Sequence, residues 1–333
     1  MVISRTPFRI SFFGGGTDFP AWYRDNGGAV LSTTIDKYCY ISCRHLPPFF
    51  NHRHRIVYSK IELVKEINEI QHPAVREICN FLNITRGIEV HHEGDLPARS
   101  GMGSSSSFSV GLLHALYSLN GIMVSKRQLA LNAIHVEQEI IKENVGSQDQ
   151  VAVAFGGFNK IEFAGNHDIK VTPMSIRQSR VRELQDHLLL FFTGVNRTAS
   201  DIEGEKIKNL HKKHKELKTL HTMVDEAINI LNSDRAISDF GKLLLESWKL
   251  KRTFSDKVTT AFVDSAYDTG LKNGAVGGKI LGAGGGGFLL LFAAPENHKT
   301  IIGALNTLLY VPFKFDTLGS HIIYYQNDSD YKI

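Results

Sequence analysis

The segment Leu96 to Ser107, LPARSGMGSSSS, sets two glycines ahead of four consecutive serines. Gly101 and Gly103 permit a tight turn and let the backbone approach a ligand closely. The serines then open a helix, whose first N–H groups have no intrahelical partner and attract anions, phosphate above all. Capping asks for one serine, not four. The segment is not a Walker A loop, because GxxxxGK[ST] requires a lysine that is absent. It is not GxGxxG either, because Ser106 holds the third glycine position.

Three further segments could contribute to one site. Pro7 to Phe19, PFRISFFGGGTDF, reads as a strand that delivers Arg9 and a glycine turn that presents Thr17 and Asp18. Asp18 could accept hydrogen bonds from vicinal sugar hydroxyls, or could simply close an Asx turn. Glu137 to Gln150, EQEIIKENVGSQDQ, is a helix end followed by a glycine-containing loop. Glu137 could reach a metal or be an exposed helical acid, and Asp149 has no lysine close in sequence. Gly282 to Gly287, GAGGGG, matches GxGxxG formally, but strands flank it on both sides. A dinucleotide site would need a helix after it and an acid about twenty residues on, and residues 301–310 hold none. It reads as a hairpin, or as a second loop over which part of a ligand passes.

These segments need elements to hold them. Strands are expected at 2–13, across 28–45 (one or two), at 55–59, 88–93 and 158–174, and at Leu188 to Thr193. Ser104 starts a helix with Val110, Leu113 and Tyr117 at helical spacing, and Ser125 caps another running to about Lys142. Residues 200–232 form a long amphipathic helix, with Ile207, Leu210, Leu217, Val224, Ile228 and Leu231 on one side and a solvated lysine-rich face on the other. Helices at about 235–250, 257–271 and 296–309 and a last strand at 321–325 complete an α+β chain with two sheets, each backed by helices.

Composition sets the frame. The 333 residues suggest about two domains at ~150 residues each. With 42% hydrophobic and 22% charged residues the chain is neither disordered nor a disulfide scaffold. A net charge of +4 is too weak a field for a nucleic-acid protein. Cys39, Cys43 and Cys79 form no CxxC pair, which fits buried thiols in a reducing compartment. The N-terminus lacks a signal-type apolar core, and the longest apolar run, Phe288 to Ala294, is far short of the ~18 residues a span requires. The sequence reading is therefore a cytoplasmic protein without membrane or nucleic-acid partners; a homo-oligomer stays open.

In this order, spread from residue 7 to 288, the segments resemble the three signature motifs of the galactokinase, homoserine kinase, mevalonate kinase and phosphomevalonate kinase superfamily of small-molecule kinases, and the resemblance covers essentially the whole chain. It implies an N-terminal domain, residues 1–176, with an unusual left-handed βαβ crossover, and a C-terminal ferredoxin-like domain, residues 177–333. It implies ATP and Mg²⁺. Pro97, Arg99, Ser100, Gly101, Met102, Gly103, Ser104, Ser105, Ser106 and Ser107 would wrap the ATP phosphates. Ser105 and Glu137 would contact Mg²⁺, Asp149 would be the catalytic aspartate and Arg9 the basic residue beside it. Thr17, Asp18, Gly284 and Gly285 would meet the substrate. Two departures stand out: Arg99 replaces the first glycine of the second motif in many relatives, and Ser147 a frequent lysine.

Residues 6–20 have the form typical of bacterial kinases of D-glycero-D-manno-heptose 7-phosphate, with kinases of L-fucose sharing much of it. The implied reaction phosphorylates the anomeric hydroxyl of the sugar phosphate, toward nucleotide-activated heptose. Such a substrate needs cations for its own phosphate. The densest basic cluster is Asn51 to Lys60, where Arg53 and Arg55 lie two apart and face one side of a strand. They either grip that phosphate or guard a solvated edge strand; Lys37 and Arg24 are weaker candidates.

Overall fold

The computed structural model describes residues 1–166, 168–194, 204 and 212–326. Two long strands make its spine: β1 (Val2–Phe13) and β2 (Gly28–His45) pair antiparallel along almost their whole length. Both are rich in β-branched and aromatic residues, which suit a pleated surface. The far half of β2 pairs with β5 (Ile88–Gly94), followed by β3 (His54–Val57) and β4 (Ile61–Val64). Its near half pairs with β6 (Phe158–Ala164), which pairs with β7 (Asp168–Pro173). β3 and β5 run parallel, and the crossover between them carries α2 (Pro73–Phe81), after the earlier α1 (Pro20–Asn26).

One face of this nine-stranded sheet is covered by α3 (Ser104–Leu119), which packs on β1 and β2. Ser106 to Leu113, Ala115 and Leu116 are all buried on this helix, because α2, α4 (Lys126–His135) and α5 (Gln148–Phe155) surround it as well.

The second sheet has the order β11-β8-β10-β9, formed by β8 (Leu188–Phe192), β9 (Ala275–Ile280), β10 (Phe288–Ala293) and β11 (Leu309–Tyr310), all antiparallel. Numbered along the chain, that order is fourth, first, third, second, as in ferredoxin-like folds. Its helices are α6 (Gln178–Asp186), α7 (His214–Asn232), α8 (Ser238–Arg252), α9 (Ala261–Lys272) and α10 (His298–Ala304). An aromatic seam joins the two sheets: Phe12 and Phe13 of β1 meet Phe240 of α8 edge-on at 5.5 and 5.1 Å, and Phe240 meets Phe292 of β10.

Several expectations shift. β12 (Phe315–Asp316) and β13 (His321–Tyr325) return to the first sheet, on β2 and β1, after the chain leaves β11. The 158–174 strand is a hairpin. The 125–142 helix stops at His135 and runs on as a π-turn, Val136–Ile140. Asp149, read as a loop residue, stands in the first turn of α5. Of the expected 200–232 helix, His214–Asn232 is present, while Ile207 and Leu210 lie outside the described residues. Among the described residues no helix is long and apolar enough to cross a membrane.

Candidate active site

A cleft between the two sheets is floored by β1, whose Arg9 and Ser11 point into it. Arg9 is buried, and Asp149 at the start of α5 takes both of its forward donors. Nε reaches Oδ1 at 2.7 Å and the terminal nitrogen reaches Oδ2 at 2.6 Å. Such a planar fork on a carboxylate sets orientation as well as charge. The third guanidinium nitrogen of Arg9 donates to the Gly101 carbonyl at 2.7 Å, so one guanidinium fixes the aspartate and the glycine-serine loop to each other. An α5 N-terminus adds a favourable field for the Asp149 anion.

The glycine-serine loop turns with φ of +82° at Gly101 and +76° at Gly103, then enters α3 at Ser104. Its backbone presses on the third segment. A Cβ on Gly101 would strike the Leu281 carbonyl, one on Gly282 would strike Gly101, and one on Gly287 would strike the Ser100 carbonyl. The two glycine runs are therefore glycine for each other's sake, and the second shapes the first from behind.

Glu137 is fully buried. Ser106 Oγ donates to its Oε2 at 3.0 Å, and Gln150 Nε2 donates to the same oxygen. Oε1 has no partner in good hydrogen-bond geometry, although the Ser109 hydroxyl lies close enough to favour the carboxylate. Burial raises the Glu137 carboxyl from an ordinary 4.5 to about 7. Asp18 is also buried and its carboxyl is pushed up by burial, although the Gly16 N–H donates to Oδ1 at 2.9 Å. Ser11 Oγ donates to Gln148 Oε1 at 2.7 Å, so β1 grips both residues that open α5.

Two lysines reach in from the second sheet. Lys279 of β9 is buried and donates to the Ser11 and Phe12 carbonyls at 2.9 and 2.8 Å, which ties the domains together at the cleft floor. Lys251 of α8 donates to the Gly282 carbonyl at 2.6 Å. Anion-binding backbone, a clamped carboxylate and a ring of cations are the parts phosphoryl transfer needs, since that chemistry asks mainly for positioning and charge neutralisation.

Two family models match the chain: the GHMP kinases N terminal domain over residues 62–157 and the GHMP kinases C terminal domain over residues 204–310. The chain is 31% identical over 316 residues to D-glycero-alpha-D-manno-heptose 7-phosphate kinase of Campylobacter jejuni, covering 91% of this chain and 92% of that one. It is 25% identical to galactokinase of Pyrococcus furiosus, over 90% of this chain and 91% of that one. Among solved structures, a D-glycero-D-manno-heptose 1-phosphate kinase from Bacteroides thetaiotaomicron superposes with a TM-score of 0.80 at 22% identity, over 98% of this chain and 100% of that one. The protein is a GHMP kinase. As such it is an ATP-dependent enzyme of mixed α+β, two-domain fold.

The kinase brings together about half of the residues expected from sequence. Arg9, Asp18, Arg99, Gly101, Gly103, Ser104, Ser105, Ser106 and Asp149 line one cleft. Pro97, Ser100, Met102 and Ser107 stand outside it: Met102 and Ser100 are buried, and Ser107 Oγ donates to the Pro7 carbonyl. Glu137 pairs with Ser106, not Ser105; neighbouring helical residues point about 100° apart, and only one can face it.

Thr17 does not face the cleft. Its hydroxyl donates to the Gly14 and Ala29 carbonyls and closes the turn beneath Asp18. Gly284 and Gly285 pack against Val258, while Gly282 and Ala283 line the cleft. Arg53 and Arg55 stand apart from the cleft as well. Arg53 donates to the Thr85 carbonyl at 2.8 Å, and Arg55 pairs with Glu89 at 3.3 Å. The edge-strand reading of β3 fails too, because β4 covers it.

Sequence reasoning missed Lys251, Lys279, Gln148 and Gln150. The glutamines flank Asp149 in a segment already singled out. Lys279 sits three residues before the glycine run, but β-strand alternation does not say which sheet a lysine will cross to.

Proposed function

We propose that this kinase transfers the γ-phosphoryl group of ATP to the anomeric hydroxyl of D-glycero-D-manno-heptose 7-phosphate, giving the 1,7-bisphosphate and ADP. The observation that carries the reading is the Asp149–Arg9 fork beside the N-terminus of α3. The ATP phosphates would rest on the N–H groups of Gly103 to Ser106. Asp149 retains lone pairs beyond those Arg9 uses, so it would orient the acceptor hydroxyl and take its proton. An anomeric hydroxyl is more acidic than an ordinary alcohol and suits a carboxylate base. Arg9 orients that base through the fork and would place positive charge near the transferred group. Asp18, one side away, would accept from sugar hydroxyls.

The residues fit a magnesium ion through Glu137 and Ser106. A buried carboxyl with one oxygen in no well-formed hydrogen bond calls for either a proton or a cation, and hard cations prefer anionic oxygen. When bound, the ion would act as a Lewis acid on the phosphate oxygens. The sugar itself is supported by the Campylobacter jejuni relative at 31% identity. Incubation with Mg·ATP and a panel of sugars and sugar phosphates, L-fucose and galactose included, with ADP release measured, tests the reading. Turnover should be fastest with the heptose 7-phosphate. Preference for an unphosphorylated sugar would overturn the substrate, and no ADP release with any sugar would overturn the activity.

A further inference from the structure

Gln148 lines the cleft but has no part in the chemistry above, although it stands beside both carboxylates that do. Its backbone N–H points to Asp18 Oδ2 at 3.4 Å, and Asp149 is the next residue of α5. The chain leading into it is moulded around Asp18. Ser147 N–H donates to the Asp18 carbonyl at 2.9 Å, and a Cβ on Gly146 would strike the Asp18 carboxylate.

The Gln148 side chain is half-buried and held at one end. Ser11 Oγ donates to Oε1 at 2.7 Å, which fixes the amide plane and leaves Nε2 at the other end. Nε2 lies over Gly15, itself a lining residue, where a Cβ would meet it at 3.7 Å. Among the described residues Nε2 donates to no acceptor. An amide nitrogen carries two donors. The neighbouring carboxylates, when ionised, only accept, and Arg9 directs its three guanidinium nitrogens at Asp149 and Gly101. A sugar hydroxyl both donates and accepts, so a site of carboxylates alone would leave hydroxyl oxygens without a donor. Gln148 supplies that donor.

We propose that Gln148 is a substrate-binding residue that sets sugar specificity: its amide donates to the oxygen of the C2 hydroxyl, the one beside the anomeric hydroxyl that Asp149 takes. This rests on the anomeric-kinase reading above and adds to it a second point of recognition. The C1 and C2 hydroxyls of a pyranose are neighbours, as Gln148 and Asp149 are at the start of α5, so one helix end reads both. Asp18, against the Gln148 backbone, is left for a further hydroxyl. Because Ser11 holds the amide before substrate arrives, the donor needs no reorganisation on binding.

The test measures kcat and KM for the heptose 7-phosphate and for its 2-deoxy analogue (or the corresponding pair, should another sugar prove faster) in wild type, Gln148→Met and Gln148→Glu. Calorimetric titration of ADP checks that each variant is folded. Wild type should favour the parent sugar by at least about tenfold in kcat/KM, about 1.4 kcal/mol. Methionine keeps the length and removes the amide: KM for the parent sugar should rise about tenfold, preference over the 2-deoxy analogue should fall below about threefold, and KM for ATP should not move. Glutamate keeps an acceptor for Ser11 and removes both donors, so Gln148→Glu should lose the preference as well. A wild type indifferent to the C2 hydroxyl would overturn the proposal, as would full preference in Gln148→Met or a wild-type KM in Gln148→Glu. Equal weakening of sugar and ADP in both variants would show a merely structural role and overturn it too. A wild type that turns over no sugar would overturn the kinase reading along with it; wild-type turnover with unaffected variants overturns the Gln148 role alone.

Discussion

Replacing Glu137 by glutamine should change how stability depends on pH, and by an amount the structure supplies. The Glu137 carboxyl is fully buried, accepts from Ser106 and Gln150 through one oxygen, and leaves the other without a well-formed hydrogen bond. Burial raises it from 4.5 to about 7. Between those values the folded protein holds a proton that the unfolded chain has released. Stability is therefore fully present below the unfolded value and is lost as pH climbs through the folded one. At about 1.4 kcal/mol per pH unit the loss totals about 3 kcal/mol. Glutamine imitates the protonated acid at every pH and does not titrate. Urea unfolding in EDTA, at about pH 5 and about pH 8.5, should therefore show the variant gaining about 2.5 kcal/mol on wild type between the two. Asp18 and other groups titrate in both proteins and cancel in the difference. Parallel stability curves for the two proteins would refute the claim that this carboxyl is folded away uncharged.

Asp149→Asn should lower kcat by about 10²–10⁴-fold with ADP affinity nearly intact; a variant keeping more than about a tenth of wild-type kcat would exclude a base role. The same change leaves buried Arg9 facing an amide, and urea unfolding should show a loss of about 1.5–3 kcal/mol, the worth of a charged hydrogen bond. Gly287→Ala places a methyl group on the Ser100 carbonyl, so the phosphate loop must move and KM for ATP should rise at least about fivefold, measured by coupled ADP release. Neutralising Arg53 and Arg55 together should leave KM for both the sugar phosphate and ATP within about twofold of wild type, since both side chains are engaged outside the cleft; a tenfold rise would return them to the substrate site.

Much of this kinase is legible in short stretches of its sequence. A glycine turn followed by serines can do little other than start a helix at an anion-binding end, and α3 does so at Ser104. Continuous apolar runs such as Leu188–Phe192 and Phe288–Ala293 read as buried strands, and both lie inside the second sheet. These are outcomes of local sterics and of solvent exclusion, which act over a few residues. Packing between distant elements decided the rest. Ser106 rather than Ser105 meets Glu137 because α3 is rotated by its contacts with β1 and β2, and because the π-turn after α4 re-aims the acid. Arg55 found Glu89 because β3 pairs with β5 in a register that sets these two residues side by side, and Arg53 reached the Thr85 carbonyl just before β5. Lys279 crosses from the second sheet to two carbonyls of β1, separated from it by more than 260 residues of chain. A side chain's partner over such a distance is chosen by how whole sheets dock, and docking depends on the summed shape of both surfaces, which no window of sequence contains.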